Sequence, residues 1–148
     1  MADNMPLIDE NRVLVKEGLK RIRQGNCIAA IKSLLKIANV KEITATSLSY
    51  SVAPRVNAAG RMGNANVALA AFLSEDENEV GILAEQLNDF NVKRQNDCEE
   101  LYKSAKSKLA EKSPLLKVNV LYDKKWNTGM VGIVAARVAE ETGKPTIL

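Results

Sequence analysis

The chain has 148 residues, 46% hydrophobic and 26% charged, which is enough apolar side chain to bury a core and excludes disorder throughout. The longest uncharged stretch, Met62 to Ser74, has 13 residues, too short to span a bilayer, which takes about 20. The chain has no histidine, so its own residues cannot build a Ser-His or Cys-His nucleophile system or an imidazole metal site.

Any metal held by this chain alone must sit on carboxylates, which favours magnesium, calcium or manganese. The N-terminus shows no basic region followed by an apolar run. Cys27 and Cys98 form no spacing motif, which fits a reduced, cytoplasmic setting. The net charge of +3 is unevenly spread. Residues 1–73 carry ten Lys/Arg against five Asp/Glu, residues 74–101 two against nine, and residues 102–125 seven against two. Basic blocks flanking an acidic one suit local phosphate contacts, and they also suit a solvated surface.

Asp9 is placed to cap a helix running to about Gln24, with Val15, Leu19 and Ile22 on one face and Gly25 as its stop. A second helix is expected from about Cys27 to Ala38, with Ile28, Ile31, Leu35 and Ala38 on one stripe and Asn39 as its C-terminal cap. Thr44 or Thr46 starts a short helix that Pro54 should interrupt. Pro54 to Gly63 then reads as a loop or broken turn, followed by a helix from about Ala65 to Leu73. The acidic cluster Glu75, Asp76, Glu77 and Glu79 opens a long helix that runs to about Lys112, where Ser113-Pro114 ends it. Its apolar stripe of Val80, Leu83, Leu87, Phe90 and Leu101 is narrow and is interrupted by Arg94 and Asp97, as suits a spacer between lobes.

Lys117 to Tyr122 alternates and reads as a strand with Val118, Val120 and Tyr122 on one face. Trp126 to Gly129 is a turn. Met130 to Thr142 is a helix with Val131, Val134 and Val138 inward, stopped by Gly143 before a second short strand at Pro145 to Leu148. Strand, helix and strand make one βαβ unit with parallel pairing. Two strands do not make a domain, so the pattern predicts a fragment whose continuation completes a second α/β lobe. The fold class is therefore α/β, mainly helical in this stretch.

Three segments resemble the RecJ branch of the DHH phosphoesterase family. Ala2-Asp3-Asn4-Met5-Pro6-Leu7, followed by Glu10-Asn11-Arg12, is similar to that family's fourth motif. Ala53-Pro54-Arg55-Val56-Asn57-Ala58-Ala59-Gly60-Arg61-Met62 resembles its Pro-Arg-x-Asn-Ala-Ala-Gly-Arg stretch and is the most specific of the three. Trp126-Asn127-Thr128-Gly129-Met130-Val131-Gly132-Ile133-Val134-Ala135-Ala136-Arg137 looks like the opening of the DHH-associated domain. The resemblance implies that residues 1–73 end a DHH domain, residues 74–113 form the connecting helix, and residues 114–148 begin the associated domain.

The resemblance further implies a 5′-to-3′ exonuclease acting on single-stranded DNA with Mn2+ or Mg2+, working in DNA repair and recombination beside a single-strand-binding protein or other repair proteins. Asp3 is the implied metal ligand, although at position 3 it also fits a solvated terminal residue. Arg61, Arg55 and Asn57 are the implied phosphate-binding group, since guanidinium forks grip phosphate oxygens bidentately. A helix-joining loop whose arginines cap helix ends or pair with acids is the bland alternative. The family carries His after the motif's Trp, where this chain has Asn127, which keeps a donor and an acceptor but does not titrate. Gly129 and Gly132 can expose amides to an anion or simply allow close helix packing.

Trp126 can stack on a base or anchor the helix to the strand, the second being favoured. Lys103, Lys106 and Lys108 can touch a DNA backbone, with a solvated face favoured. The family's Asp-His-His triplet is absent, so this stretch is expected to be inactive alone. Rival readings are a DHH phosphodiesterase of short oligonucleotides or cyclic dinucleotides, and a non-catalytic nucleic-acid-binding adaptor. The long helix argues against the phosphodiesterase, where a short link is expected.

Overall fold

The computed structural model describes residues 5–111 and 117–148. The chain divides into two compact units, Met1–Asn91 and Val92–Leu148. Among its described residues, the regular structure of the first unit is all helical. Helix α1 spans Asp9–Arg23, and its stripe of Leu19 and Ile22 packs on the core as the periodicity predicts. Asp9 does not cap it, however: Ile8 holds the cap position, no side chain caps the helix, and Asp9 sits in the first turn with φ 44°. Its carboxylate still suits the helix dipole there.

Helix α2 spans Ala29–Ile37. Its buried residues are Ala30 and Leu34, so the inward line is turned by one position from the expected one, and Ile28 is exposed. Ile28 precedes the first helical residue, with extended ψ of 154°, and therefore does not follow the helical period.

Three helices end with one device, a left-handed residue followed by an amide that reaches back five positions. Asn26 N–H donates to the Arg21 carbonyl at 2.9 Å after Gly25, Val40 N–H to Leu35 at 3.1 Å after Asn39, and Asn64 N–H to Ala59 at 2.9 Å after Gly63. Only residues that tolerate positive φ hold these corners.

The segment around Pro54 departs most from expectation. Thr44 and Ser47 form a reciprocal capping box, with Ser47 N–H donating to Thr44 Oγ1 at 3.0 Å and Thr44 N–H to Ser47 Oγ at 2.9 Å. From there the chain stays helical: α3 at Ala45–Ser47, a π turn at Leu48–Val52, and α4 at Ala53–Arg61. Pro54 interrupts nothing, and the predicted loop is a helix. In the π turn the Ala53 N–H reaches the Leu48 carbonyl, five residues back. That wider turn shifts the carbonyls that a proline ring would strike, and Pro54 then occupies the first turn of α4, where its missing N–H costs nothing.

Helix α5 spans Ala65–Leu73, and α6 spans Glu77–Ala110. Asp76 opens α6, its Oδ1 accepting from Asn78 N–H at 2.8 Å and Glu79 N–H at 3.4 Å. The predicted stop at Lys112 to Pro114 lies outside the described residues. The core of the first unit is Leu34, Leu48, Val52, Ala59, Ala71, Ala84 and Leu87. It draws on α2, the π turn, α4, α5 and the first half of α6.

The second unit begins within α6. Strand β1 at Asn119–Val120 pairs in parallel with β2 at Thr146–Ile147, and α7 at Thr128–Thr142 connects them, so the expected βαβ unit is present. Val118, Val120 and Tyr122 share one face, as the alternation predicts, and that face is the exposed one. Asn119 and Leu121 are each 5% exposed, whereas Val120 is 55% and Tyr122 78% exposed. Asn119 faces inward because its amide bonds Thr142 and Thr146. In α7 the buried residues are Met130, Val134 and Val138, and Met130 takes the inward place expected of Val131.

Candidate nucleic-acid interface

The arginine motif lies on α4, and the helical period sorts its residues. At about 100° per residue, Asn57 and Arg61 fall about 40° apart, while Arg55 points well away from both. Asn57, Gly60 and Arg61 line one open depression of about 510 Å3 with Val56, Ala65 and Ala68. All three of those motif residues are exposed, while the intervening Ala58 and Ala59 are fully buried and hold α4 against the core.

Arg55 is half-buried. Its Nε donates to Asn88 Oδ1 on α6 at 3.1 Å, and its Nη1 donates to the Ser51 carbonyl at 2.5 Å. Burial pulls its pKa below the ordinary arginine value, yet the group stays charged. Arg55 thus ties α4 to the π turn and to α6. Sequence reasoning grouped it with Arg61, and the structure brings together only Asn57, Gly60 and Arg61.

Asp3 lies outside the described residues. Among the described residues no three acidic or cysteine side chains gather closely enough to hold a metal ion. Those residues alone do not fit a divalent-metal site.

The last motif opens the second unit. Asn127 is the N-cap of α7, its Oδ1 accepting from Gly129 N–H at 2.8 Å. The Gly129 amide that the motif could offer to an anion is thus held by Asn127 itself. Trp126 is half-buried and its Nε1–H donates to Ser104 Oγ on α6 at 3.2 Å, which anchors the turn to that helix. Trp126 N–H closes the turn on the Asp123 carbonyl at 3.1 Å. Asp123 is held below the usual carboxylate range first by the Lys125 N–H and then by Lys108, whose ammonium lies 3.2 Å away.

A network between the second half of α6 and α7 was not foreseen. Arg137 pairs with Glu99 at 2.7 Å, and its guanidinium lies 3.6 Å from the Tyr102 ring centroid. Tyr102 OH and Lys106 Nζ both donate to Glu141. The hydrogen bond from Arg137 lowers the Glu99 pKa, and those from Lys106 and then Tyr102 lower that of Glu141. The detectable signal was spacing: Glu99, Tyr102 and Lys106 at three- and four-residue intervals, and Arg137 and Glu141 four apart. Lys106 and Lys108, weighed above as backbone contacts for DNA, are thereby committed to Glu141 and Asp123.

No protein-family model matches the chain. Curated relatives match it from end to end. The single-stranded-DNA-specific exonuclease RecJ of Salmonella typhimurium is 35% identical over 153 residues, covering 99% of this chain and 26% of that protein. RecJ of Thermus thermophilus is 36% identical over 148 residues, covering 100% of this chain and 22% of that protein. The crystal structure of Thermus thermophilus RecJ in complex with Mg2+ superposes with a TM-score of 0.89 at 35% identity, covering 98% of this chain and 23% of that one. A crystal structure of exonuclease RecJ bound to manganese gives a TM-score of 0.85 at 35% identity, covering 98% and 36%. The class these matches define is a mainly helical α/β segment carrying the fold of a stretch of a known exonuclease. Over its whole length the chain is similar to RecJ, and it spans about a quarter of the length of the curated relatives it matches. Among the described residues no helix is long and apolar enough to cross a membrane.

Proposed function

We propose that this chain is a working stretch of a cytoplasmic DHH-family nuclease that degrades single-stranded DNA from its 5′ end, in DNA repair and recombination. The observation that carries this reading is the exposed face of α4, where Asn57, Gly60 and Arg61 surround one depression. Arg61 and Asn57 contact the DNA backbone there, with Gly60 leaving room for the strand to approach. Arg55 shapes the site from behind by fixing α4 to the π turn.

Residues 1–73 close the first lobe, residues 74–113 link the lobes, and residues 114–148 begin the second. RecJ proteins in crystals hold Mn2+ or Mg2+. We assign Asp3 as one carboxylate ligand of such an ion, whose other ligands come from outside this chain. The ion supplies activated water and charge stabilisation when bound. A chain with at most one ligand and no histidine does not hydrolyse DNA alone.

Single-stranded DNA is the partner that supports this chemistry, and a single-strand-binding protein would deliver it. The test is Arg61→Ala in the intact enzyme. Affinity for single-stranded DNA should fall, and the slope of log K against log salt should shrink by about 0.7, the share of one phosphate contact. Binding that is unchanged at every salt concentration refutes the assignment of Arg61.

A further inference from the structure

The second unit contains a cavity of about 350 Å3 that the nuclease reading does not use. Its volume lies within the range of small-ligand sites. Leu101 and Met130 give it an apolar floor, and both are buried. Trp126 forms a wall, and its hydrogen bond to Ser104 fixes the indole in place.

The polar lining is mostly acidic, with Asp97, Glu100 and Asp123 set against the single cation Lys125. Lys108 neutralises Asp123. Asp97 and Glu100 lie three residues apart on α6, both facing the cavity, and among the described residues neither joins an ion pair. Asp97 is half-buried at the cavity wall. A phosphate entering here would meet net negative charge.

We propose that this cavity binds the guanidinium of an arginine in a basic segment of a protein partner. A guanidinium is the cation that matches all three kinds of lining. Its planar fork meets carboxylates bidentately, its flat face stacks on an indole, and its methylene stem lies along Leu101 and Met130. The occupant follows from charge complementarity together with the apolar floor. A metal ion has no use for the floor, and an oligonucleotide is repelled by the acids.

Trp126 is the only tryptophan in the chain, so its emission reports on the cavity. The probes are a capped Gly-Arg-Gly peptide, its lysine counterpart, spermine and oligothymidylate. The arginine peptide should change Trp126 emission saturably, more strongly than the lysine peptide, with affinity falling as salt rises. The isosteric double variant Asp97→Asn, Glu100→Gln should weaken that affinity roughly tenfold with an unchanged circular dichroism spectrum. If the double variant loses structure, the single variant Glu100→Gln, on an exposed side chain, carries the test by a smaller loss of affinity. The proposal fails if the arginine peptide gives no saturable change, or if the folded variants bind it as tightly as the parent. Tighter saturation by spermine or by oligothymidylate would overturn the protein-segment assignment. No part of the test involves hydrolysis, so its result is independent of the nuclease reading.

Discussion

Replacing Asn119 with alanine should destabilise the second unit by about 1–3 kcal/mol, the sum of two neutral hydrogen bonds at roughly 0.5–1.5 kcal/mol each. Asn119 is 5% exposed, and its Nδ2 donates to Thr142 Oγ1 at 3.0 Å and to Thr146 Oγ1 at 3.1 Å. Both hydroxyls already direct their own protons elsewhere, Thr142 to the Val138 carbonyl at 2.8 Å and Thr146 to the Lys144 carbonyl at 3.1 Å. They can therefore only accept from residue 119, and alanine leaves both without a donor. One side chain thus joins β1, the end of α7 and the start of β2.

Asn119→Asp sharpens the test, because an ionised carboxylate would aim two acceptors at two acceptors. Burial and the missing donors would raise its folded pKa above the unfolded value of about 3.9. The penalty from ionisation is then absent below that value and grows as pH rises through it. Urea unfolding followed by Trp126 emission between pH 3 and 8 measures both variants. Exchange of the Leu121 amide, bonded to the Ile147 carbonyl at 3.0 Å, reports on the strand pair directly. An alanine variant within about 0.5 kcal/mol of the parent, or an aspartate variant whose stability relative to alanine does not change with pH, refutes the role given to Asn119.

Two further predictions use simpler readouts. Gly60 and Gly63 should respond to alanine with opposite signs in thermal melts. Gly60 is helical with open space where a Cβ would stand, so alanine gains about 0.4–1 kcal/mol, whereas Gly63 has φ 77° and alanine there loses about 1–2 kcal/mol. Equal effects would contradict the assigned backbone. Lys106 and Tyr102 hold the Glu141 pKa below its ordinary value, so its contribution to stability is present above the ordinary carboxylate range and lost as pH falls through the depressed value. Glu141→Gln should accordingly flatten the acid-side decline of Tm, and salt should shrink the difference because the pair is exposed. An acid-side decline as steep in the variant as in the parent would refute that coupling.

Helix ends were the most legible part of the fold. Gly25, Asn39 and Gly143 stop their helices where sequence reasoning stops them, because so few residues accept a left-handed corner. Asp76 and its acidic neighbours likewise open α6 as expected. In two places a tertiary feature outweighs a local one. Pro54 reads as a break, yet the π turn before it absorbs the ring and the missing N–H, and nothing in residues 48–52 announces five-residue hydrogen bonding. In β1, Val118, Val120 and Tyr122 share one face, as the alternation says, yet that apolar face is the exposed one and Asn119 is buried. Two threonine hydroxyls, 23 and 27 residues farther along, decide the matter instead. Buried polar groups go where their partners are, and single-strand alternation carries no record of partners.

The same limit applies to the arginine motif, and it changes what the motif can do. Written as a string, Pro-Arg-x-Asn-Ala-Ala-Gly-Arg presents two arginines as equivalent hands for phosphate. Wound as α4, it presents Asn57 and Arg61 on one exposed side, Ala58 and Ala59 to the core, and Arg55 to Asn88 and the Ser51 carbonyl. The two guanidiniums then serve different ends. Arg61 is exposed at the depression, as the proposed backbone contact requires. Arg55 has two of its donors engaged and its charge partly desolvated, so removing it loosens α4 and displaces Arg61 indirectly. A loop would let both swing toward one anion, whereas the helix separates the proposed contact from the residue that ties α4 down. The turn that makes this possible is the one accommodating Pro54, which is how a residue read as a break comes to fix the geometry of the site.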